Sequence, residues 1–126
     1  MGNYPVRAVL LVDQKRHTAE LMKTYLRIDG YAVDHTQDPK EALELADQIH
    51  YGVVLTDLVM PRMNGLDLYR EITQHDVRVR FVFLITPSGD VLRLLGSLDR
   101  DDVIRKEPLS INEVIAKVRA AFTNSR

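Results

Sequence analysis

Short apolar runs of strand length alternate along this chain with stretches of helical spacing, and that alternation limits the fold more than any other feature. The first run, residues 7–12, is apolar on both faces of a strand, as in a sheet covered on both sides. From residue 16 to 29, Leu21, Met22, Tyr25 and Ile28 share one helical face, and Gly30 supplies a stop. Residues 31–36 are β-rich but mixed in polarity, as an edge strand is. Pro39 opens a second helix with Ala42, Leu45, Ala46 and Ile49 on its apolar face, and residues 53–56 form the next buried strand. A loop rich in Pro, Asn and Gly leads to a helix on Leu66, Tyr69 and Ile72. Residues 79–85 then read as a buried strand, 91–98 as a short helix and 102–104 as a short strand. In the last helix Ile111, Val114, Ile115, Val118, Ala121 and Phe122 form one stripe behind an N-cap at Ser110. Five strands alternating with five helices predict an α/β fold, a single doubly wound parallel sheet in the order 2-1-3-4-5 with helices on both faces.

Composition excludes several classes of function. The chain has 126 residues, net charge −1, 45% hydrophobic and 28% charged residues, and no cysteine. It therefore has no disulfide framework, thiol nucleophile or zinc ribbon. Nothing in its charge gives a basic footprint for direct contact with nucleic acid or with anionic lipid. The longest apolar runs are too short to span a membrane, and Met1-Gly2-Asn3-Tyr4-Pro5 lacks the features of a signal peptide. A cytoplasmic single domain over residues 1–126, with its core at about residues 7–122, is the expectation.

In a doubly wound sheet, ligands bind beyond the carboxyl ends of the strands where the strand order reverses. That rule selects Asp13, after the first strand, and Asp57, at the end of the third. Neighbouring strands lie about 4.8 Å apart, so the two carboxylates converge on a small site that calls for a cation. Magnesium needs only one or two protein carboxylates plus waters. Thr86 after the fourth strand offers a hydroxyl, and Lys106 after the fifth a mobile cation. Two carboxylates, a hydroxyl and a lysine at four strand ends suit a phosphoryl group on Asp57. Each residue alone has a plainer reading as a turn former, a strand end or a solvated charge; it is their joint placement that points to chemistry. His17, His35, His50 and His75 are scattered without metal-ligand spacing. A phosphatase with paired aspartates is disfavoured by Val59, and a flavin site by Asp13-Gln14-Lys15-Arg16.

The segments Val9-Leu10-Leu11-Val12-Asp13, Leu55-Thr56-Asp57-Leu58-Val59-Met60-Pro61-Arg62-Met63-Asn64-Gly65, Leu84-Ile85-Thr86 and Asp101-Asp102-Val103-Ile104-Arg105-Lys106 resemble the motifs of response-regulator receiver domains of two-component signalling. The resemblance covers about residues 7–122 and implies a flavodoxin-like fold. It implies that Asp57 is the phosphoacceptor, taking phosphate from a phosphohistidine donor, and that Thr86 and Lys106 sense the phosphoryl group. It places Mg²⁺ on Asp13, Asp57, the Gln14 position and the backbone carbonyl of Val59. The implied partners are a sensor histidine kinase or phosphotransfer protein. The only chemistry expected of the chain itself is self-phosphorylation from a phosphodonor and autodephosphorylation.

Four positions depart from the family pattern. Gln14 stands where a second acidic residue is usual, with Lys15 beside it, so weak Mg²⁺ binding is expected. Pro87 removes a backbone N–H after Thr86. Glu107 separates Lys106 from Pro108, and an ungapped alignment from the C-terminal side would put Glu107 in the lysine slot. Val103 replaces the usual aromatic switch on the fifth strand. The competing reading is therefore a pseudo-receiver, a protein-interaction module not controlled by phosphorylation. The expected partner surface is the face of the fourth helix, fifth strand and fifth helix, through Leu92, Leu95 and Val103, where a homodimer could also form. No output domain follows Phe122 in the sequence given, which fits either a stand-alone regulator or a fragment.

Overall fold

The computed structural model describes residues 7–123; the expectations for Met1-Gly2-Asn3-Tyr4-Pro5 and for the tail beyond Thr123 lie outside the described residues. Five strands, β1 (Ala8–Val12), β2 (Ala32–Thr36), β3 (Val53–Asp57), β4 (Arg80–Ile85) and β5 (Val103–Arg105), alternate with helices α1 (Arg16–Ile28), α2 (Pro39–Gln48), α3 (Gly65–His75), α4 (Gly89–Leu95) and α5 (Ile111–Thr123). All strand pairs are parallel, in the order β2-β1-β3-β4-β5. This is the architecture the alternation predicts, with the reversal of strand order between β1 and β3.

The strand residues divide by parity because successive side chains point to opposite faces. Val9, Leu11, Val33, Val53, Leu55, Val82, Leu84 and Ile104 pack with α1 and α5 on one face. Leu10, Val12, Val54, Phe81, Phe83 and Ile85 pack with α2, α3 and the start of α4 on the other. Both faces are covered, which explains why β1, β3 and β4 read as nearly continuous apolar runs. Side-chain caps fix several helix starts: Asp38 accepts from the Lys40 N–H, Asn64 and Asp67 form a reciprocal capping box, and Ser88 caps α4. Ser110 accepts from the Glu113 N–H as expected of an N-cap. Because Ser88 caps α4, the helix begins at Gly89 rather than at Val91, and it ends at Leu95. Among the described residues, no helix is long and apolar enough to cross a membrane.

Two helices bury stripes that share only Met22 in α1 and Ile72 in α3 with the faces their periodicity suggests. In α1 the buried residues are Ala19, Met22 and Leu26, while Leu21, Tyr25 and Ile28 are exposed. The sets 19/22/26 and 21/25/28 have equivalent helical spacing, so period alone does not say which faces the sheet. In α3 the buried residues are Gly65, Leu68 and Ile72; Tyr69 is exposed, its ring packed edge-on against Phe81 at 5.2 Å between centroids. Ile49, placed on the apolar face of α2 by its spacing, is also exposed, because it follows the helix rather than continuing it.

Candidate functional site

The end of β3 sets the site. Thr56 pairs with Val12 of β1, so Asp57 lies beside Asp13, the first residue after that strand. The loop after Asp57 turns tightly back to α3. The Gly65 N–H donates to the Leu58 carbonyl at 2.7 Å, and a Cβ on Gly65 would sit 2.7 Å from the Asp57 carbonyl oxygen. Only glycine fits there, and its close approach holds the backbone of Asp57 against the start of α3.

Asp13, Asp57 and Lys106 are the charged members of a buried cluster, at 0%, 6% and 5% exposure. Lys106 Nζ donates to Asp13 Oδ1 at 2.6 Å and to Asp57 Oδ1 at 2.9 Å. The remaining carboxylate valences are also taken. Asp13 Oδ1 accepts the Lys15 N–H at 2.9 Å, Asp13 Oδ2 accepts the Thr18 hydroxyl at 2.5 Å, and Asp57 Oδ2 accepts the Gln14 N–H at 2.8 Å. Every charge taken from water therefore has partners, as burial demands. Burial pushes the Asp57 carboxyl above its ordinary value; the Gln14 N–H and Lys106 pull it down without cancelling the effect, and the charge on Asp13 adds to it. For Lys106 burial works against the ammonium, but the hydrogen bonds to Asp13 and Asp57 outweigh it and raise its pKa.

Lys106, not Glu107, reaches the carboxylates. Glu107 is exposed and its Oε1 lies 2.9 Å from Lys15 Nζ. That hydrogen bond, reinforced by the Lys15 charge, holds the Glu107 carboxyl below the ordinary value. Thr86 stands one residue past β4, half-buried, and its hydroxyl has no hydrogen-bond partner among the described residues. Pro87 and Val59 are exposed on the same rim. Gln14 contributes its backbone to the site, whereas its amide Nε2 donates to the Gln37 carbonyl at 2.5 Å, toward the loop after β2. Thr18 and the N–H groups of residues 14 and 15 are the members that sequence reasoning missed. Their signal lies in geometry: Thr18 occupies the first turn of α1, where its hydroxyl can reach back to the strand end.

The residues of the partner face are less alike than their spacing suggests. Leu92 is 74% exposed, whereas Leu95 and Val103 are partly buried against the cluster on the α2–α3–α4 face. Of the two leucines, Leu92 is the one offered fully to solvent.

Asp13 and Asp57 both hold the Lys106 ammonium; two carboxylates are also a donor set that magnesium accepts when waters complete its shell. Among the described residues, no group of three or more His, Cys, Asp or Glu side chains stands at metal-binding spacing.

Residues 9–119 match the family described as the response regulator receiver domain. The chain is 32% identical over 114 residues to the uncharacterized transcriptional regulatory protein YcbL of Bacillus subtilis, covering 90% of this chain and 50% of that protein. It is 33% identical over 114 residues to the response regulator ArlR of Staphylococcus saprophyticus, covering 89% of this chain and 50% of that protein. The chain spans about half the length of these relatives. Among solved structures, a response regulator receiver domain protein from Clostridium thermocellum superposes with a TM-score of 0.79 at 25% identity, covering 93% of this chain and 94% of that one.

Proposed function

Because the chain belongs to the response-regulator receiver domain family of two-component signalling, we propose that it accepts a phosphoryl group on Asp57 from a phosphohistidine donor and thereby changes its partner surface. The observation that carries this reading is the buried trio, in which the Asp57 carboxylate at the end of β3 shares one lysine with Asp13. A carboxylate oxygen of Asp57 forms a bond to phosphorus while the bond from phosphorus to the imidazole nitrogen breaks, its electron pair remaining with the imidazole. The product is an acyl phosphate. Lys106, already on Asp57, meets the charge that develops on the phosphoryl oxygens, and the unpaired hydroxyl of Thr86 donates to one of them. Asp13 and Asp57 would hold Mg²⁺, with the Val59 carbonyl as a third donor; when bound, the ion neutralises charge on the transferring group. A sensor histidine kinase or phosphotransfer protein is the proposed donor. Attack of water on the acyl phosphate would restore Asp57.

A second reading, an interaction module whose state phosphate does not control, is favoured by one observation. Position 14 is an uncharged Gln whose amide Nε2 donates to the Gln37 carbonyl, so it adds no carboxylate to Asp13 and Asp57 for a metal. Incubation with acetyl phosphate and Mg²⁺, followed by intact mass, separates the two. The proposal expects a gain of one phosphoryl group that Asp57→Asn abolishes. A gain that persists in the variant moves the site elsewhere, and no gain in the wild type favours the interaction module.

A further inference from the structure

Lys15 leaves the backbone at the site itself. Its N–H donates to Asp13 Oδ1 and the preceding N–H, from Gln14, donates to Asp57 Oδ2. Its ammonium then reaches Glu107 Oε1, 2.9 Å away on the loop that follows Lys106. The pair links the loop after β1 to the loop after β5, the two loops that carry Asp13 and Lys106. Both side chains are more than half exposed, at 57% and 59%, so water screens the contact and the fold gains little from it. A cation held this lightly, on a flexible four-carbon stem, exchanges partners readily when a more highly charged anion arrives.

The charge count says which anion that is. Two carboxylates and one ammonium leave the buried trio with one excess negative charge. A phosphoryl group carries about two negative charges near neutral pH, so bringing it to Asp57 deepens the excess. Gln14 adds no carboxylate to help hold a divalent ion, and its amide Nε2 donates to the Gln37 carbonyl. Lys15 is the further cation that the β1 loop supplies.

We propose that Lys15 binds the phosphodonor: it leaves Glu107 and contacts the phosphoryl oxygens as the group moves to Asp57, while Glu107 holds it in the resting state. This rests on Asp57 being the acceptor. Bonds are made and broken only at phosphorus, as described above; with acetyl phosphate the electron pair of the broken bond leaves with acetate, and Lys15 transfers no proton.

The test compares phosphorylation rates from acetyl phosphate at fixed Mg²⁺, by intact mass, in wild type, Lys15→Gln, Lys15→Arg, Glu107→Gln and the double variant Lys15→Gln/Glu107→Gln. One charge acting at close range through water corresponds to a factor of about five in rate. Lys15→Gln is expected to be slower by about that factor and Glu107→Gln faster. Lys15→Arg should retain the wild-type rate, and the double variant should lose the gain of Glu107→Gln. Added salt should narrow the gap between wild type and Lys15→Gln, because exposed charges are screened. Equal rates across the set, with Asp57 phosphorylated throughout, would overturn the role of Lys15 and leave the acceptor standing. No phosphoryl gain in any protein, wild type included, would remove the acceptor and the inference with it.

Discussion

At the scale of single residues, the site is a problem of charge taken out of water. Asp57 is raised by burial, and Lys106 is raised because its two hydrogen-bonded carboxylates outweigh burial; each protonation state depends on the other. With the proposed Mg²⁺ on Asp13 and Asp57, position 14 would set how much further negative charge the ion meets. Two unit charges 4 Å apart interact by about 4 kcal/mol at an effective dielectric of 20, so a carboxylate there has a large lever. Gln14→Asp is expected to tighten Mg²⁺ binding by at least about tenfold in a direct titration. Equal affinities in wild type and variant would mean that position 14 serves Gln37 and not the ion. Asp13 and Asp57 were legible in the sequence because the reversal of strand order selects their positions; Thr86 and Lys106 followed as residues after the fourth and fifth strands, and only the geometry decides for Lys106 over Glu107. The partners of the carboxylate oxygens were not legible: backbone N–H groups carry no residue signature, and Thr18 looks like any polar residue on a helix flank.

At the scale of elements, the strands were easier to read than the helix faces. A strand buried on both sides declares itself by an unbroken apolar run, as 53–55 and 81–85 do. A helix declares only a period, and α1 carries two apolar stripes of equivalent spacing, one of which faces solvent. The choice between them is made by packing against α5 and the sheet. One contact there can be tested. Arg119 of α5 holds Asp29, the residue after α1, through hydrogen bonds of 2.9 and 2.5 Å. Arg119 keeps the Asp29 carboxyl below its ordinary value of 3.8. A carboxyl lowered in the folded state stabilises above its unfolded pKa, and that contribution is lost as pH falls through the lowered value. Arg119→Ala is therefore expected to melt about a degree or two below wild type at neutral pH. The difference should shrink below pH 3.8 and vanish once pH is under the folded-state value. A gap that is independent of pH would assign the effect to lost packing of the arginine stem.

At the scale of the whole molecule, the sheet separates two apolar layers and gathers the reactive groups on one rim, while Leu92 stands on the outer side of α4. A leucine at 74% exposure has no folding reason to be apolar. Leu92→Glu is expected to leave the melting temperature unchanged, since exposed substitutions usually shift stability by less than about 0.5 kcal/mol, and to weaken self-association in sedimentation. Unfolding of the variant would make Leu92 a core residue, and unchanged association would remove it from any homodimer contact. Leu95, packed partly against the sheet side, is not its equivalent: Leu95→Glu is expected to lower the melting temperature. The fold and the strand-end cluster were thus legible as a whole, whereas the exposure of neighbouring leucines depends on the pitch at which α4 lies on the sheet. The lysine shared by Asp13 and Asp57 has a consequence at this scale too. A counter-ion tethered to the chain has an effective concentration set by the geometry of its loop. A divalent ion on the same two carboxylates would share them with this tethered ammonium, so the Mg²⁺ level at which the proposed phosphorylation begins would depend on how the loop after β5 holds Lys106.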